Sequence, residues 1–170
     1  MATALYRVSD WHMLEGQLGE GRPYLDEAIA IATELGADHF VYLLQAALCI
    51  TLLIEGKVNE AAPVVRRNLR IAHRLGDGQG VATVLFCAAC CASWLDPGEK
   101  AARLHGAVDA EIQAALADGS IVTWSDLEQG LRSTSQDRLR ELLGDAAFEA
   151  AYRSGAQLTR MQAVELALGR

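Results

Sequence analysis

Three cysteines within five positions, Cys87, Cys90 and Cys91 in "FCAACCASW", are the densest set of reactive side chains in this sequence. A cluster of this kind could hold a soft metal ion or carry redox chemistry. A zinc site would need a His or a second Cys pair at ligand spacing, and none lies nearby. Cys87 and Cys91 are four apart and share a helix face, but Ala88, Ala89 and Ala92 surround them. That pattern describes sulfur used as a small apolar filler. Asp10 and His12 are close in sequence, yet residues i and i+2 point to different faces of a helix. The four histidines, His12, His39, His73 and His105, share no spacing, and no G-x-S-x-G or H-E-x-x-H stretch occurs. The residues therefore assign no catalytic, cofactor-binding or metal role, and the chain is not expected to be an enzyme.

The elements that would position any site are helical. The chain has 170 residues, 51% of them apolar and 22% charged, with 6% aromatic and three prolines. Ala and Leu dominate, which favours helix throughout a single folded domain. The net charge of −7 disfavours nucleic-acid binding by the chain itself, since that affinity comes from Lys and Arg neutralising phosphates. One local exception is Arg66, Arg67, Arg70 and Arg74, which read as a solvated helix face or an anion patch. The longest apolar run, "FVYLLQAALCITLLI" at 40–54, is shorter than the roughly 20 residues a bilayer span needs. It is expected to be a buried core helix with no membrane role. The N-terminal "MATALYRVSDWH" does not resemble an export signal, so a cytoplasmic location with reduced thiols is expected.

An internal repeat organises the chain. "EGQLGEGRPYLDEAIAIATELGADHFV" from Glu15 aligns with "EGKVNEAAPVVRRNLRIAHRLGDGQGV" from Glu55 at an offset of 40. Nine of 27 pairs are identical: Glu15/Glu55, Gly16/Gly56, Glu20/Glu60, Pro23/Pro63, Ile31/Ile71, Ala32/Ala72, Leu35/Leu75, Gly36/Gly76 and Val41/Val81. Average composition would give roughly two by chance. Each unit reads as two helices. A Glu-Gly turn separates them, and Gly36 or Gly76 supplies a left-handed cap after the second. Pro23 and Pro63 are expected in the first turn of that second helix. A third unit opens at "DPGEKAARLHGAV", with Asp96 as N-cap, Pro97 as first helical residue and Glu99 closing a capping box.

This register resembles the tetratricopeptide repeat, which wants a small residue midway in its first helix and early in its second. Here those positions read Ser9, Cys49, Ala89 and Gly21, Ala61, Ala101, all small. Cys49 thus occupies a slot defined by size. The family's early Trp and closing Pro are absent, and the period is longer than the usual 34 or so. The resemblance implies an all-α helix-hairpin solenoid of about three ~40-residue units over residues 1–117.

Residues 118–170 break the repeat and are expected to be capping helices of the same domain. "ADGS" at 117–120 reads as a loop. Ser125 with Glu128 forms a capping box for a helix toward Leu143, with "STS" at 133–135 as a candidate disturbance. Asp145 is placed as cap of a short helix to about Ser154, and Thr159 with Gln162 caps a last one. "DPGEKAARLHGAVDAEIQ" at 96–113 and "LRELLGDAAFEAAYRSGAQLTRMQAVELAL" at 139–168 resemble the extreme C-terminus of large, mostly actinobacterial transcriptional regulators. Those chains join an ATPase or cyclase module to tetratricopeptide-like repeats, often with a LuxR-type DNA-binding domain. No "GxxxxGK[ST]" loop and no basic helix-turn-helix are present, so neither ATPase activity nor DNA binding carries over.

What the resemblance does imply is a non-catalytic interaction and regulatory module. Its first helices would line a concave surface carrying Tyr6, Asp10, Met13, Leu43, Ile50, Leu53, Phe86 and Trp94. Leu14, Ala46, Ile54, Thr83 and Cys90 extend it. That surface is apolar and lacks Lys or Arg. The occupants it suits are a protein or amphipathic-helix partner (a full-length regulator among them), a second copy in a homodimer, a small-molecule inducer, or the chain's own residues 124–168. A folded remnant of a larger regulator is the remaining reading.

Overall fold

The computed structural model describes residues 1–75, 78–117, 119 and 124–169, the side chains of 72, 73, 75, 78 and 79 excepted. The described residues form α1 (Ala2–Leu14), α2 (Leu18–Glu34), α3 (Asp38–Ile54), α4 (Val58–Leu75), α5 (Gly78–Leu95), α6 (Glu99–Ala117), α7 (Asp126–Leu143), α8 (Asp145–Gly155) and α9 (Arg160–Leu168). No strand occurs among them, so the fold class is all-α.

The turns after α1 and α3 share one hydrogen-bond pattern. After α1, the Gln17 N–H reaches the His12 carbonyl at 2.8 Å and the Gly16 N–H reaches that of Met13 at 3.0 Å. After α3, Lys57 and Gly56 make the same two bonds, to Leu52 and Leu53. Gly16 and Gly56 hold φ of +73° and +74°, a left-handed conformation that glycine adopts without Cβ strain. Ala37 and Gly36 close α2 in the same way. Gly76 lies outside the described residues.

These turns start the second helices earlier than the prolines suggest. Pro23 and Pro63 sit inside α2 and α4, past the first turn, so each removes one intrahelical bond, at the carbonyls of Gly19 and Asn59. Both of those residues are exposed, which leaves water to take the missing donor's place. α6 begins at Glu99 with Pro97 and Gly98 ahead of it, so Asp96 is not its N-cap. Gly144, not Asp145, is the N-cap of α8. "STS" does not interrupt α7: the Ser135 hydroxyl donates to the Leu131 carbonyl at 2.8 Å, satisfied within the helix. The capping boxes of Ser125 with Glu128 and Thr159 with Gln162 both form.

Successive helices pack as pairs, α1 on α2, α3 on α4 and α5 on α6, with α2–α3 and α4–α5 contacts joining them. The six small-residue positions Ser9, Gly21, Cys49, Ala61, Ala89 and Ala101 are all buried. At the first pair, a Cβ on Gly21 would lie 2.9 Å from the His12 Cβ and 3.0 Å from the Ser9 carbonyl, so the two backbones need glycine there. The run at 40–54 falls in α3, whose buried residues include every position from Cys49 to Leu53. The principal core joins α3, α4, α5, α6 and α9; a second joins α1, α2 and α3, and a third joins α6, α7 and α8. α8 crosses α6 where Gly106 faces the Tyr152 carbonyl and Gly155 faces that of Arg103. The Asp109 carboxylate of α6 accepts from the Arg132 guanidinium of α7 and the Tyr152 hydroxyl of α8, tying the three together.

Candidate functional site

Thiol chemistry is the first possibility that the geometry weighs. All four cysteines are buried. Contact with Cys49 and burial push the Cys87 thiol well up, and burial raises Cys90 and Cys91 to about 12. The nucleophile and metal ligand is the thiolate, and at neutral pH these groups stay protonated. Among the described residues no group of His, Cys, Asp and Glu is arranged to hold a metal ion.

The histidines are equally separated. His12 donates from Nδ1 to Gln17 Oε1 at 2.9 Å and stacks on Tyr24 with the rings 8° apart. No hydrogen bond or ion pair joins it to Asp10 among the described residues. His39 is exposed, and the His73 side chain lies outside the described set. His105 is fully buried, as are Leu25 and Val65 at the equivalent positions of the other pairs. Ser93 donates its hydroxyl to the Ala89 carbonyl at 2.8 Å, so it accepts the His105 Nε2–H at 3.0 Å. His105 Nδ1 then has no partner. Burial, with Arg132 nearby, lowers its pKa to about 3; this imidazole is neutral packing, not a base poised near neutrality.

What remains is concave space, and α7 divides it. Trp124, just before α7, sets its ring edge-on to Phe86 with centroids 4.2 Å apart and planes at 88°. Phe86 is thereby covered, and Cys90, which meets Ser135 of α7, is also fully buried. On one side of α7 lies a cavity of about 560 Å³ walled by α1, α3, the start of α5 and the N-terminus of α7. On the other lies a groove of about 360 Å³ between Leu53, Ile54, Val58, Trp94, Leu127 and Leu131.

The residues singled out from sequence thus separate into three sets. Tyr6, Asp10, Met13, Leu43 and Ile50 come together at the larger cavity, with Leu14, Ala46 and Thr83. Leu53 and Trp94 lie at the smaller groove with Ile54. Phe86 belongs to neither and is a core residue, because Trp124, just before α7, packs on it. Trp94 keeps 40% of its surface exposed and carries the Arg138 guanidinium 4.7 Å from its ring centre.

The sequence reading did not place Trp124, Ser125 and Glu128 on this cavity, nor Phe40, Ala47, Thr51 and Gly80. The capping box marked where α7 starts, but no local signal says against which helices that start docks. The cap also fixes a charge. One Glu128 carboxylate oxygen accepts both the Ser125 N–H and the Ser125 hydroxyl at 2.8 Å, and the positive helix N-terminus favours a carboxylate there. Across the cavity Tyr6 feels burial first, then Asp10 and Glu128, all raising its pKa, with Arg7 acting against them. Ser125→Ala should cost about 1 kcal/mol, read as a lower urea midpoint, while Ser125→Thr keeps most of it. Equal loss in both variants would show that the hydroxyl does not carry the cap.

The arginines of α4, Arg66, Arg67, Arg70 and Arg74, are all exposed. No described helix is long and apolar enough to cross a membrane. Comparisons with protein-family models, with curated proteins and with solved structures found no match.

Proposed function

We propose that this chain is a non-catalytic binding module, a tetratricopeptide-like solenoid with a helical cap, related in kind to the C-terminal arrays of multidomain transcriptional regulators. Its task on this reading is to sense a small molecule held in the larger cavity. The observation that carries it is the convergence of Tyr6, Asp10, Met13, Leu43 and Ile50 on one space of about 560 Å³. That volume is in the range of small-molecule sites, which are mostly apolar with a few placed polar groups. Binding there would bias the seating of α7, whose first turn forms one wall, and so could be passed to whatever contacts α7.

The test uses the uncharged probe N-phenyl-1-naphthylamine, which fluoresces on leaving water. Saturable binding to the wild type, abolished by Ala46→Phe with the fold intact by circular dichroism, is the expected result. Ala46 is buried in the cavity wall, so the added ring fills the space. Equal binding by both proteins, or none by either, ends the reading.

A second reading has its own observation. The exposed Trp94 over the apolar groove with Leu53 and Leu131 has the character of an anchor for a partner helix. It predicts capture of a specific protein from native extract, lost on Trp94→Glu.

A further inference from the structure

We propose that the larger cavity selects an amphiphilic organic cation; this rests on the reading of that cavity as a ligand site and names the chemistry of its ligand. Two carboxylates reach the cavity from different elements, Asp10 from α1 and Glu128 from α7. Among the described lining residues none is Lys, Arg or His. Glu128 is already held by its cap, through one oxygen. Asp10 stands half-buried at the cavity wall, with no hydrogen bond or ion pair to another described lining residue.

Aromatic residues share this lining. Tyr6, Phe40 and Trp124 line the same space, and a cation over such faces gains from the ring quadrupole, more so when it leaves water. The remaining walls are largely aliphatic, Met13, Leu43 and Ile50 among them. An anion would meet two carboxylates and no cationic side chain among the described lining residues, at a desolvation cost that the partial charge of one helix end does not offset. A neutral apolar molecule would gain from the walls but leave the carboxylates uncompensated. A ligand with an apolar body and one positive group satisfies both features. Burial is the main cause that raises the Tyr6 pKa; Asp10 and Glu128 add to it, and Arg7 opposes them.

The charge can be tested apart from the shape. Tetraphenylphosphonium and tetraphenylborate have nearly the same outline and opposite charge. Each is titrated against wild-type protein loaded with N-phenyl-1-naphthylamine, and displacement is followed by fluorescence. The phosphonium should displace the probe at a concentration at least about tenfold below the borate. Asp10→Asn and Glu128→Gln should each narrow that ratio and together remove it; Gln at position 128 can still close the capping box. Should either single variant unfold, the other with the wild-type ratio still decides. Equal displacement by the two ions, tighter borate, or a preference surviving in the double variant overturns the cation assignment. Probe binding that neither ion displaces leaves the cavity reading standing and sinks this one. Absence of binding by the probe and both ions sinks the two together.

Discussion

Gly106→Ala should lower the thermal midpoint by about 10 °C, and Gly155→Ala by a similar amount. A Cβ on Gly106 would lie 1.9 Å from the Tyr152 carbonyl oxygen, and one on Gly155 would lie 1.9 Å from that of Arg103. Both neighbours are backbone atoms, so no rotamer change relieves the clash. α6 and α8 would have to separate, and with them the third core, where Ala101 and Ala102 meet Phe148 and Ala151. Overpacking of this kind costs about 3 kcal/mol, and a domain of this size loses about 2–4 °C per kcal/mol. Gly130 is the control. It lies in the second turn of α7 with nothing within 4 Å of a Cβ, so Gly130→Ala should gain about 0.5–1 kcal/mol from helix propensity alone. If Gly106→Ala melts with the wild type, the close crossing of α6 and α8 is wrong.

The second large effect is a pH slope. His105 has a folded pKa of about 3, against about 6.5 in an unfolded chain. Between those values the unfolded state binds a proton that the folded state does not. Stability is therefore complete above about pH 6.5 and falls as the pH drops toward 3, by about 1.4 kcal/mol per unit. From pH 8 to pH 5 this one group should remove about 2 kcal/mol. His105→Leu supplies the residue type that the equivalent Leu25 position already buries. It also removes the unpartnered Nδ1, while Ser93 keeps its bond to the Ala89 carbonyl. The variant should match the wild type near pH 8 and exceed it by about 2 kcal/mol at pH 5 in urea unfolding. Parallel curves for the two proteins from pH 8 to 5 would mean that His105 is not buried neutral.

Local signals carried most of the element assignment. Positive-φ glycines at 16, 36 and 56 and the caps at Ser125 and Thr159 are short-range chemistry, readable without knowing what packs where. Errors arose where two local signals competed. Pro23 and Pro63 pointed to a helix start, but the glycine turns before them hand the chain directly into α2 and α4. Asp96 and Asp145 looked like caps, while the chain begins its helix three residues later in one case and takes Gly144 as cap in the other.

The sequence by itself determined that this protein is helical, that its first 40-residue stretch returns in kind, and that its cysteines and His105 sit where packing requires small or buried groups. Size, periodicity and backbone freedom are properties of residues and their near neighbours, so they are legible in one dimension. Only the tertiary structure decided where α7 lies. Its seat against α3, α5 and α6 turns Phe86 from a surface residue into core. The same seat brings Glu128 to a cavity shared with Asp10 and leaves Trp94 beside a separate groove. Those contacts join residues far apart in the chain, Phe86 and Trp124 or Asp10 and Glu128, and no periodicity or cap encodes them; they follow from which apolar faces remained uncovered once the helix pairs had packed.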